Sequence, residues 1–166
     1  QIINYTTDAS GALYSIATHV TATPLSRVNG ATVPSSPCST GFSSSSFPTT
    51  TPYSTTLPAV EVTLTPSTGF RLNVIGFSLE LRRSGSGPAS VRLAYSIDGG
   101  LSWIDEGVDH APSNTSCGTT IAVAWTTLFT VTAPSQLKFR AYGFNAASTS
   151  GSLQIMNLIV NGTVAS

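Results

Sequence analysis

The 166-residue chain is long enough for one hydrophobic core and short for two. Only 8% of its residues are charged, against roughly 25% in ordinary globular chains, and seven Lys and Arg balance seven Asp and Glu. That balance speaks against a basic nucleic-acid surface and against high-charge disorder, and no apolar run approaches the ~18 residues of a membrane span.

The chain begins at Gln1, not Met, and at once enters a strand-like run, Ile2-Ile3-Asn4-Tyr5-Thr6, as a mature N-terminus left by signal-peptide cleavage would. The expectation is a secreted protein, extracellular or on a cell surface. Residues 17–28 alternate loosely and are broken by Pro24. Residues 34–58 are rich in Ser, Thr and Pro. Phe42, Phe47, Tyr53 and Cys38 within them predict an ordered loop pinned to the core rather than a mucin-like linker.

From Ala59 the period-two signal sharpens. Val60, Val62 and Leu64 form one inward set, Leu72 and Val74 the next, then Phe77, Leu79 and Leu81, then Val91, Leu93 and Tyr95. Ile121, Val123, Trp125, Phe129 and Val131 make a further long strand or pair. Leu137, Phe139 and Ala141 follow, and Leu153 to Val160 end the chain with an irregularity near Met156-Asn157. No stretch shows helical periodicity. The pattern predicts a single all-β domain over 1–166, an antiparallel β-sandwich, jelly-roll-like, with eight to ten strands.

Two cysteines, Cys38 and Cys117, allow one intramolecular disulfide, which secretion permits; two reduced thiols are the alternative. The sharpest local motif is Ser96-Ile97-Asp98-Gly99-Gly100-Leu101-Ser102-Trp103, which fits the Asp-box pattern. In such a hairpin Asp98 accepts turn amides, Gly99 and Gly100 take positive φ, and Trp103 packs back. Its expected role is structural. Arg82 and Arg83 must face opposite sides of a strand, with Glu80 or Asp98 as expected ion-pair partners.

The run from Phe77 to Gly100 resembles a β-sandwich domain of secreted bacterial surface proteins. The resemblance rests on the Arg82-Arg83-Ser84 to Gly87-Pro88 turn and the Ser96-Ile97-Asp98-Gly99-Gly100 hairpin. It extends to Val62–Phe70, to Phe139-Arg140-Ala141-Tyr142-Gly143, and to the final Leu153–Gly162 strand. It implies a secreted, non-catalytic module.

No nucleophile elbow occurs, and His19 and His110 lack metal-ligand spacing, so no catalytic residue, cofactor or metal site is assigned. Asp105, Glu106 and Asp109, beside His110, are read as one loop, with a carboxylate Ca²⁺ site or a solvated loop both open. Asn4, Asn114 and Asn161 begin Asn-x-Ser/Thr sequons and are candidate glycosylation sites.

Two functions follow. The first is a self-assembling extracellular subunit of a surface filament or pilus-like fibre, a homo-oligomer or homopolymer held by β-strand addition. Ile2, Ile3 and Tyr5 are the candidate inter-subunit strand, with residues 1–20 an exchanged segment, unless they pair within their own sandwich. The alternative is a non-catalytic carbohydrate-binding or adhesion module whose polysaccharide platform comes from Tyr14, Tyr53, Trp103, Trp125, Tyr142 or Phe144.

Overall fold

The computed structural model describes residues 1–50 and 52–166. They form β1 (Ile3–Tyr5), β2 (Tyr14–Ile16), β3 (Val20–Ala22), β4 (Ser26–Val28), β5 (Phe42–Ser44), β6 (Ala59–Pro66) and β7 (Arg71–Arg83). The remaining strands are β8 (Pro88–Ser96), β9 (Ile104–His110), β10 (Ser113–Asn114), β11 (Ile121–Thr132), β12 (Leu137–Ala146) and β13 (Leu153–Ala165). The chain is an all-β sandwich, as the alternation predicts. Among the described residues there are thirteen strands rather than eight to ten; the excess lies in two- and three-residue pieces too short to show a period.

Sheet one runs β10-β7-β13-β1-β2, with β11 also on β7 and β5 also on β13. Sheet two runs β3-β6-β12-β8-β9, with β4 also on β6. The long strands cross between sheets, from β6 to β7, β7 to β8, and then from β11 to β12 to β13. Among the described residues all strand pairings are antiparallel except β10 on β7.

The inward sets meet as alternation requires. Phe77 of β7 lies 4.6 Å from Phe139 of β12, and a continuous buried cluster runs from Ile2 to Val160. The irregularity at Met156-Asn157 is a bulge between Met156 and Ile159, where Asn157 takes φ 52°. Pro24 interrupts one long edge, leaving β3 and β4 on the same partner; Thr23 bridges the gap, its Oγ1 accepting from the Thr63 amide at 3.0 Å.

Within residues 34–58, of which Thr51 lies outside the described residues, the structure places β5. Phe47 is fully buried against Gly143, where an added Cβ would lie 2.5 Å from the ring. Cys38 and Cys117 form the disulfide, with Cα atoms 5.6 Å apart across a separation of 79 residues. The bridge ties this loop to the turn after β10.

The N-terminal strand pairs in cis. β1 lies between β13 and β2, with Ile3 opposite Val160 on one side and Ile16 on the other. Ile2, Ile3 and Tyr5 are buried to about 1% exposure. Tyr5 and Tyr14 hydroxyls donate to the carbonyls of Thr23 and Ala22, at 2.5 and 3.0 Å, stitching the β1–β2 edge of sheet one to β3 of sheet two. Both edges of the candidate inter-subunit strand are therefore occupied by its own sheet.

Candidate functional site

Of the six candidate platform aromatics two are buried and four are partly buried. Tyr142 and Phe144 are buried. Trp125 packs inward on Phe77 and Tyr95, with ring centroids 5.7 and 5.2 Å apart. Tyr14 lies against Tyr5. Tyr53 and Trp103 cover the outer face of sheet two, where Arg92 sits 4.8 Å from the Tyr53 ring and Arg140 4.2 Å from Trp103. Burial and the neighbouring Tyr142 push the Tyr53 hydroxyl up to about 12.

The Ser96–Trp103 hairpin closes on itself. Asp98 accepts from the Ser96 hydroxyl at 2.7 Å and from the Ser102 amide and hydroxyl at 3.0 and 2.5 Å. The Gly100 amide donates to Ser96 Oγ at 2.8 Å, and Gly99 and Gly100 take φ 74° and 98°. These bonds to Ser102 and Ser96 hold the Asp98 carboxyl far below the usual carboxylate range.

Residues Asp105 to His110 form edge strand β9, not a loop. A bulge opposite Arg92–Ala94 breaks the alternation that would have revealed it. Arg92 pairs with Asp105 at 3.2 Å and Asp109 at 2.6 Å, while Glu106 pairs with His110 at 2.7 Å. The four side chains are thus divided between two separate pairings, and no metal-binding cluster occurs among the described residues.

Arg82 and Arg83 do point apart, but among the described residues neither meets a carboxylate. Buried Arg82 donates to the carbonyls of Cys117, Gly118 and Thr40 at 3.0, 2.7 and 2.9 Å, clamping the two loops that the disulfide joins. Arg83 caps its own turn through Ser84 and Gly85. Asp8 is engaged by Ser10, and Glu61 by Lys138 and Arg140 at 3.2 and 2.6 Å. Each of the seven acids therefore has a local partner. Of the three sequon asparagines, Asn114 is exposed; Asn4 and Asn161 are half-buried in strands.

Two surface features went unread in the sequence. The first is the flank opposite the β2–β3 seam. There β11 ends sheet one and β9 ends sheet two, and Phe129 stacks on Tyr95 at 4.1 Å between the sheets. Ile121, Trp125 and Phe129 are only partly buried, and Ile104, Val108 and Leu128 are exposed at 49, 47 and 77%. Along β11 the strand bonds only to β7 among the described residues. The uncharged stretch between Asp109 and Lys138 was the available signal, but a sequence cannot say which strand is an edge.

The second is a trough on the outer face of sheet one. A hollow of about 310 Å³ is lined by Ser78, Glu80, Ala122, Ala124, Asn157 and Ile159. It adjoins one of about 260 Å³ that includes Ile75, Leu128 and Asn161. Glu80 accepts from Thr120 Oγ1 at 2.6 Å and from the Asn157 amide. Those two bonds lower its carboxyl below the ordinary value.

No family model and no curated protein matches the chain. Among solved structures it is similar to an exo-β-1,3-galactanase from Phanerochaete chrysosporium in complex with galactose, at 11% identity and a TM-score of 0.39. A glutamate-to-glutamine variant of that enzyme with β-1,3-galactotriose gives 10% and 0.41. In both cases the match covers 89% of this chain and 30% of the other.

Proposed function

We propose that this chain is a non-catalytic, extracellular structural module that works by associating with copies of itself. The observation carrying this reading is the open β9–β11 flank, where a long uncharged edge strand and half-exposed core aromatics share one side of the sandwich. A surface of hydroxyls with zero net charge offers little repulsion between copies. The disulfide fits an oxidising compartment. The filament is a finer version of this reading, and its contacts then fall on sheet edges rather than on the occupied N-terminal strand. Sedimentation velocity and electron microscopy of the native chain test it. Concentration-dependent oligomers or fibres are expected; a monomer at all concentrations overturns it.

The trough favours a second reading, contact with a neutral polysaccharide. Glu80 and Asn157 present a fixed carboxylate and amide above the aliphatic floor of Ala122, Ala124 and Ile159, a combination suited to sugar hydroxyls and ring CH groups. Affinity electrophoresis through gels containing neutral polysaccharides tests this. Retardation that N157A abolishes supports it, and unchanged mobility excludes it.

A further inference from the structure

The Cys38–Cys117 bridge joins two segments that are each anchored at sheet one by bonds that do not run through sulfur. On the Cys38 side, Thr40 pairs with Asp8, and the Gly41 amide donates to the Thr7 carbonyl at 2.6 Å. One residue later β5 begins, held on β13. On the Cys117 side, Ser113 and Asn114 pair with Arg82 and Arg83. The Ser116 amide donates to the Arg83 carbonyl, and the Gly118 amide closes its turn on the Thr115 carbonyl, both at 3.0 Å. Arg82 spans the two segments. Its Nη1 donates to the Cys117 and Gly118 carbonyls, and its Nη2 to the Thr40 carbonyl and hydroxyl at 2.9 and 3.2 Å. The two cysteines differ in access: Cys117 is exposed, whereas Cys38 is 6% exposed.

We infer that the bridge is a reversible clasp that opens and closes on the folded sandwich. Cys117 is the sulfur that exchanges with small thiols and disulfides, Cys38 is the resolving sulfur, and Arg82 is the residue that positions them. Thiol–disulfide exchange passes through a mixed disulfide, and access decides which sulfur is attacked. In opening, the thiolate of a small thiol attacks Cys117 Sγ. That S–S bond forms, the Cys38–Cys117 bond breaks, and Cys38 leaves as a thiolate that takes up a proton. A second small thiolate attacks the small-molecule sulfur of the adduct, frees the Cys117 thiolate and departs as a small disulfide. Closing is the reverse, with a small disulfide as oxidant. Cys117 forms the adduct, Cys38 attacks Cys117 Sγ, and the two thiol protons pass to the two small thiolates released.

Arg82 acts at the resolving step. One guanidinium holds both Thr40 and Cys117, so Cys38 stays beside Cys117 while the bond is open. Closure then joins two prepositioned sulfurs rather than two free loops separated by 79 residues.

Glutathione, reduced and oxidised, is the probe, applied to the folded chain. Reduction of the wild type should leave its far-UV circular dichroism unchanged. Folded C38S treated with oxidised glutathione should carry one glutathione on Cys117, read by peptide mass spectrometry. C117S should load Cys38 roughly 10-fold more slowly or worse, since access limits the exchange. R82K should keep the rate of adduct formation at Cys117 but lower the equilibrium constant for bridge closure against glutathione roughly 10-fold, as a loss of effective concentration. L93A opens a cavity at a fully buried leucine of β8 in sheet two and should leave that constant unchanged, which separates positioning from general loss of stability. Reduction that unfolds the sheets overturns the inference. Cys38 in C117S loading as fast as Cys117 in C38S overturns it too. An R82K constant equal to that of the wild type, or lowered no further than that of L93A, overturns the positioning role of Arg82.

Discussion

A buried guanidinium held by carbonyls instead of a carboxylate makes Arg82 a structural clamp. Truncation to Met would leave three carbonyls short of a donor, so R82M should lose about 3 kcal/mol in urea denaturation. R82K should recover only part, because an ammonium cannot reproduce the fork that reaches both loops. Gly143 makes a different demand. It is small because the Phe47 ring occupies the place of its side chain. G143A should cost about 1–3 kcal/mol, and F47L should relieve part of that cost in a double-mutant cycle. The role of Arg82 was hidden in sequence. Its alternation placed it on one face, but the loops that cover that face come from Thr40 and Cys117, distant along the chain.

Among the elements, β1 shows how pairing partners escape a local reading. Its apolar pattern was visible as Ile2, Ile3 and Tyr5, yet the same pattern suits a donor strand or an internal one. Contacts with β13 and β2 decide it. I3A should destabilise by about 2–5 kcal/mol, as a fully buried aliphatic does, with no change in oligomeric state. A shift of association with I3A would instead return the N-terminal strand to the interface. The Cys38–Cys117 bridge links residues 79 apart in the chain. Its loss in C38S/C117S should cost about 4 kcal/mol, read as a fall in Tm of roughly 10 °C by calorimetry. β9 went unread because its bulge and its charged residues imitate a solvated loop; Arg92 gives those charges their order.

The whole molecule should respond to pH through its hydrogen-bonded acids and buried phenols. Asp98, Glu80 and Asp8 have carboxyl groups held below their ordinary values by hydrogen bonds. Depressed values favour the fold above the unfolded carboxylate range near pH ~4, and that contribution is lost as pH falls through the lower folded values. At the other end, burial raises Tyr5, Tyr53 and Tyr142, so their contribution is full below pH ~10 and lost above it. Tm measured against pH should therefore be level from about 5 to 9 and fall on both sides. D98N and E80Q should flatten the acid limb, and an unchanged limb in both variants would contradict the assignment.

Composition and alternation were enough to establish a neutral, hydroxyl-rich chain of inward and outward faces, because period-two burial is a local property of a strand. The two cysteines narrowed the covalent link to one possible pair, and Asp98 with its glycines marked a self-contained hairpin, because those bonds span only a few residues. Which strands lie side by side was decided only in three dimensions. Sheet order depends on contacts far apart in the chain, and from it follow the cis pairing of β1, the division of the Asp105–His110 side chains, and the exposure of β11. An edge is defined by the absence of a neighbour, and no stretch of sequence carries that information by itself.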